Sequence, residues 1–107
     1  MSEPSTSPVP YQVAYSEWVR NQLRSQISRA RDRRLGPQML AALKELDRLL
    51  HLYPQFGEPL RDLQLPSAQL WIGVVAPLVV RYMLHEEQRL VVVVFTHLLL
   101  PKSGLQT

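Results

Sequence analysis

Over residues 11–15, Tyr-Gln-Val-Ala-Tyr, apolar and polar positions alternate, the signature of a strand with one face against a core. At Ser16 the pattern changes. Val19, Leu23, Ile27 and Ala30 recur every three or four residues, as the apolar stripe of a helix does, with Trp18 beside them. Ser16 has an N-cap side chain and Glu17 follows where the helix dipole favours a carboxylate, so the helix is predicted to begin there. Gly36-Pro37 ends it and opens a second, since glycine suits a helix end and proline the first position of a new helix. Met39, Ala42, Leu43, Leu46, Leu49, Leu50 and Tyr53 then form the clearest periodic stripe in the chain and carry the second helix to about Leu52. Two amphipathic helices so tightly joined are predicted to form an antiparallel hairpin whose apolar sides face one sheet.

Pro54, Gly57 and Pro59 stop the second helix, and Leu60, Leu63 and Leu65 read as anchors of an irregular segment packed over the sheet edge. Three strand-like runs follow: 69–75, closed by Ala76-Pro77; 78–84; and 90 to about 98, with the polar His85-Glu-Glu-Gln88 as the hairpin loop between the last two. In the middle run Leu78, Val80, Tyr82 and Leu84 share one face and Val79, Arg81 and Met83 the other, so Arg81 points away from the helices. The last run is apolar on both faces, which a one-layer sheet would leave partly in water; something is expected to cover it. The predicted fold class is α+β, in the order β-α-α-β-β-β, with the helical hairpin packed on one face of a small, mostly antiparallel sheet. Residues 11–101 are expected to form one domain, between a disordered N-terminal tail (1–10) and a C-terminal tail (102–107).

Length and composition narrow the chemistry. A chain of 107 residues supports one core. With no cysteine there is neither a disulfide framework nor a thiol nucleophile, which agrees with a reducing cytoplasm. The opening residues lack a basic and then apolar leader, and the longest apolar run falls short of the roughly 20 residues that span a bilayer, so no secretory signal and no membrane segment are expected. The formal charge of +3 is unevenly placed: Arg20, Arg24, Arg29, Arg31, Arg33 and Arg34 face only Asp32 within residues 20–34. Such a patch suits phosphate or an acidic partner, or is simply a solvated helix face. His51, His85 and His97 are scattered, Glu86-Glu87 point different ways, and the glycines are isolated, so neither a metal site nor a nucleotide loop is indicated and no cofactor is expected.

The order of elements, the basic hairpin, the stretch Pro54-Gln-Phe-Gly57-Glu-Pro59-Leu60-Arg61, and Val80-Arg-Tyr82-Met-Leu84-His-Glu-Glu87 leading into the valine-rich last strand together resemble the RelE/ParE superfamily. Its members are toxins of bacterial type II toxin-antitoxin modules, and the resemblance spans residues 11–101. It implies a cytoplasmic protein neutralised by a cognate antitoxin, in a heterotetramer with it, and one of two targets; pairing of the apolar last strand with that of a second copy, giving a homodimer, is the other association left open, because an exposed strand edge pairs with whatever is available. RelE-type members cut mRNA on the ribosome with arginines and lysines around the scissile phosphate, often with a tyrosine near the C terminus; ParE-type members share the fold, lack that constellation and poison DNA gyrase.

Against that pattern this chain departs. The arginine that the family places three residues before the tyrosine matching Tyr82 falls on Val79, the second predicted strand carries no basic residue, and no tyrosine follows Pro101. Metal-free phosphodiester cleavage needs a base, an acid and cations for the transition state, so the nuclease reading is disfavoured. The residues left for a rearranged catalytic site are Arg61, Arg81, His97 and Lys102; those for binding a target or antitoxin are Arg20, Arg24, Arg31 and Arg34. The favoured expectation is therefore a ParE-like, or catalytically degenerate RelE-like, binding toxin. The alternatives are a ribosome-dependent mRNA endonuclease, or a small interaction module without toxicity.

Overall fold

Ser16 makes the junction between the first strand and the first helix. Its Oγ accepts a hydrogen bond from the Val19 N–H at 3.1 Å, so strand β1 (Gln12–Tyr15) ends and helix α1 (Glu17–Asp32) starts where an N-cap was predicted. The computed structural model describes residues 9–65 and 68–99, with residues 61–65 as backbone. Helix α1 closes with Arg34 in the left-handed region (φ 60°) and Leu35 N–H bonded to Ala30 O at 2.7 Å. Gly36, expected at this stop, instead begins helix α2 (Gly36–Leu52), with Pro37 in its first turn. The reversal must fall directly after the last turn of α1, and the glycine stands two residues too late for it.

The sheet runs in the order β1-β5-β4-β3-β2, with β1 parallel to β5 and every other neighbour antiparallel. Its further strands are β2 (Glu58–Leu65), β3 (Ala68–Val75), β4 (Leu78–His85) and β5 (Leu90–Leu98). The predicted α+β class and helical hairpin on one sheet face are thus present. One segment differs: residues 58–65, expected as irregular, form an edge strand. Pro59 is compatible with that place, because an edge strand has one side on which no N–H is needed, and its register with β3 breaks between Pro59 and Gln64. The predicted tails and Lys102 lie outside the described residues, apart from Val9 and Pro10.

On the helix side, Leu78, Val80, Tyr82 and Leu84 of β4 and Val91, Val93 and Leu98 of β5 are buried against Val19, Ala30, Met39, Ala42, Leu46 and Leu50. Tyr82 is the centre of this layer. Its ring stacks between Phe56 and Trp71, with centroids 6.0 and 6.5 Å away, and its hydroxyl donates to the Pro54 carbonyl. The Pro54-Gln-Phe-Gly57 segment, which includes the short 3₁₀ turn Pro54–Phe56, is therefore a strap tied to the sheet through Tyr82. Burial holds the Tyr82 phenol well above its ordinary pKa, so this tie stays protonated.

In β5, Tyr82 pairs with Val93 and Arg81 with Phe95, leaving Val94 as a bulge. A one-residue slip exchanges the faces of everything beyond it. Thr96 and Leu98 are therefore buried, while Phe95 and His97 turn to the open face. β1 pairs only with the first part of β5, and past Val93 the exposed edge is closed by α1. The Gln22 Oε1 accepts from the Thr96 N–H at 3.2 Å, and the Gln26 Nε2 donates to the Thr96 carbonyl at 2.9 Å. Two glutamines one turn apart thus stand in for a strand, and β5 offers no free edge at Thr96 for a second copy to pair with. No helix among the described residues is long and apolar enough to cross a membrane.

Candidate functional site

Two surfaces bear the residues singled out from sequence: the open face of the sheet and the outer side of the helical hairpin. On the open face, Arg81 is exposed, as expected, and its guanidinium lies 5.5 Å from the Phe95 ring centroid. Phe95 in turn sits 6.2 Å from the ring of Trp18, which is 57% exposed. His97 pairs in register with Val79, two positions along from the Arg81 and Phe95 pair, so Arg81 and His97 share this face. Arg61 does not join them from a neighbouring strand: it belongs to β2, at the sheet edge, with β3 between it and β4. Lys102 lies outside the described residues.

Around Arg81 the open face is apolar. Ile72 pairs with it from β3, Val79 and Met83 flank it on β4, and Val92 lies across from Met83 on β5. Val79 occupies the position where the resemblance expects a cation. A single arginine stacked on a phenyl ring, with one exposed imidazole, can contact a phosphate. It does not reproduce the several cations that balance a phosphorane-like transition state.

The helical side holds an open cleft. Tyr15 at the end of β1, Arg20 and Leu23 on α1, and Leu43, Lys44 and Asp47 on α2 line a cleft of about 390 Å³. Two of its polar groups are already paired with each other: the Tyr15 hydroxyl donates to Asp47 Oδ1 at 2.6 Å. His51 Nδ1 lies 2.9 Å from the Asp47 carbonyl and 3.5 Å from Oδ2. Burial first, and then the bond to the Asp47 carboxylate, raise the Tyr15 pKa far above the ordinary phenol range, so this hydroxyl is a fixed donor. Arg20 and Lys44, by contrast, enter no ion pair among the described residues.

No family model matches the sequence, and no curated protein or solved structure matches it either. The site is therefore argued from its own geometry. Arg20, Arg24 and Arg31 are exposed on one stripe of α1; Arg24 donates to Asn21 Oδ1 at 3.0 Å, and Arg34, also exposed, belongs to the inter-helix turn. Of this expected set, the cleft takes in Arg20. Sequence reasoning missed Lys44, Asp47 and the role of Tyr15. A signal was present: Asp47 sits beside the apolar stripe of α2, one turn from both Leu43 and His51, where an unpaired carboxylate would be costly. Among the described residues no group of His, Asp and Glu is arranged to hold a metal ion.

The Tyr15 and Asp47 pair predicts an alkaline weakness. A group whose folded pKa is raised contributes stability that is complete below its unfolded value, about 10 for tyrosine, and lost as pH climbs above it. Tyr15→Phe is expected to be about 1 kcal/mol less stable at neutral pH, because Asp47 loses its donor. From pH 10 upward the two proteins should converge in urea unfolding midpoints. Parallel curves would show that the phenol carries no linkage.

Proposed function

We propose that this protein is the toxin of a type II toxin-antitoxin pair. In this reading it is of ParE kind, or of RelE kind without working nuclease chemistry, and it acts in the cytoplasm by binding a host target until a cognate antitoxin neutralises it. The observation that carries the reading is the open sheet face: valine at position 79, apolar residues around it, and Arg81 stacked on Phe95 rather than grouped with other cations. That surface suits contact with an apolar partner segment better than cleavage of a phosphodiester. Antitoxin coverage of this face would account for the exposure of Val74, 57%, at its border. The exposed arginines of α1 then remain for the target.

A second reading draws on one fact, that Arg81 and His97 occupy the same face. It makes the protein a ribosome-dependent mRNA endonuclease with a reduced site. Inducible expression in a bacterium, following labelled thymidine and methionine in the first minutes, separates the two. DNA synthesis is expected to fail first, as for a gyrase poison, and toxicity to survive Arg81→Ala and His97→Ala. Early loss of translation, abolished by either substitution in a protein that still folds, would establish the nuclease instead. Harmless expression would leave neither standing.

A further inference from the structure

We propose that two copies of this chain pair through the open faces of their sheets, with the strands of one lying along those of the other. The middle strand of the contact is β3. Its Trp71 turns to Tyr82 on the helix side, so Leu70, Ile72 and Val74 alternate onto the open face, where Val74 is 57% exposed. The row through Ile72 also carries two charges. Ile72 pairs with Arg81 of β4 on one side and with Glu58 of β2 on the other. Residues directly opposite one another share a face, so an exposed guanidinium and an exposed carboxylate stand one strand either side of β3, with backbones about 10 Å apart. Neither Arg81 nor Glu58 enters an ion pair among the described residues.

Opposite charges at equal offsets from an apolar strand are self-complementary. A twofold axis running along β3, over Ile72 and midway between two sheets, exchanges the two sides of β3 and keeps the strand direction. It lays Arg81 of each copy over Glu58 of the other, and sets Leu70, Ile72 and Val74 against their own counterparts. The two sheets are then aligned, as sheets that pack face to face about 10 Å apart commonly are. An axis across the strands would instead stack Arg81 on Arg81. An acidic segment or a nucleic acid would satisfy Arg81 but repel Glu58. The overlap is small: β2, β3 and β4, each of eight residues, cover about 26 Å along the strands and about 10 Å between the outer two. That is less than the roughly 800 Å² each partner gives to a standard interface, so the dimer is reversible, with a dissociation constant on the order of micromolar or weaker. An antitoxin laid over this face would displace the second copy. The pairing stands on the sheet itself and does not depend on which host process the protein stops.

The test is sedimentation equilibrium of the full chain from about 1 to 300 μM, where an association of this strength is visible. The expected result is a dimer that grows with concentration and weakens with salt. Arg81→Glu and Glu58→Arg should each weaken it on the order of tenfold, since either one sets like charges opposite each other at two places in the contact. The combined swap, Arg81→Glu/Glu58→Arg, restores opposite charges in the same register and should bring association back to within about threefold of the parent. Both positions are exposed, and circular dichroism verifies that all three variants fold. Weakening in the single variants without rescue in the swap would overturn this register. A dimer indifferent to all three, or a monomer throughout the range, would overturn the pairing of these faces.

Discussion

Gly57→Ala is expected to destabilise the protein by about 2–4 kcal/mol, a large share of the stability of a domain this size. A Cβ at position 57 would lie 2.3 Å from the Ile72 carbonyl oxygen, 2.9 Å from its carbon and 2.8 Å from the Tyr82 hydroxyl. The dihedral angles there, φ −87° and ψ −157°, suit any residue, so the requirement is for space and not for backbone freedom. The atoms in the way are main chain in the middle of β3, and moving them would disturb the ladder to β4 and the Tyr82 bond to Pro54. Gly73 offers the comparison. There a Cβ would meet the Phe56 ring at 2.5 Å, but a ring can turn at its χ angles, so Gly73→Ala should cost less, about 1–2 kcal/mol. Urea unfolding of both variants checks the order. If Gly73→Ala were the more damaging, the strap would be looser than its contacts with Tyr82 imply.

The double substitution Gln22→Ala/Gln26→Ala is expected to cost about 2–3 kcal/mol and to change how the chain associates. Thr96 is 1% exposed with the glutamines in place, and removing both side chains takes the protein partners away from its N–H and its carbonyl. Part of the loss is offset, because Gln26 Oε1 is itself buried without a hydrogen bond and its removal relieves that burden. The second effect follows from topology. With the glutamines gone, β5 presents a bare edge beyond β1, and bare edges pair with other strands. A shift toward larger species in sedimentation, growing with protein concentration, is the expected result. A variant that matches the parent in both stability and sedimentation would mean that the two glutamines are passengers on α1.

Much of the architecture was legible along the chain. The N-cap at Ser16, the two helical stripes, the paired faces of β4 and the outward direction of Arg81 all follow from local chemistry and periodicity, which are properties of neighbouring residues. The candidate site was only half legible. Arginines can be seen clustering in α1, but whether one of them flanks a cleft depends on how α2 and β1 lie against it. Lys44 and Asp47 acquire their setting only from that packing.

By itself, then, the sequence determined the helices, the strand runs around Tyr82 and the absence of a cation at position 79. The tertiary structure decided the rest. Residues 58–65 became a strand because β3 had an unpaired side to satisfy, which outweighed the prolines and the weak local pattern. The bulge at Val94 reversed the faces of Phe95, Thr96, His97 and Leu98, an outcome hidden in a run apolar on both sides, where alternation carries no signal. Gln22 and Gln26 look like ordinary surface residues of a helix until β1 proves too short to cover β5. Each of these depends on a partner far away in sequence, and hydrogen-bond satisfaction between distant segments leaves no periodic mark in either one.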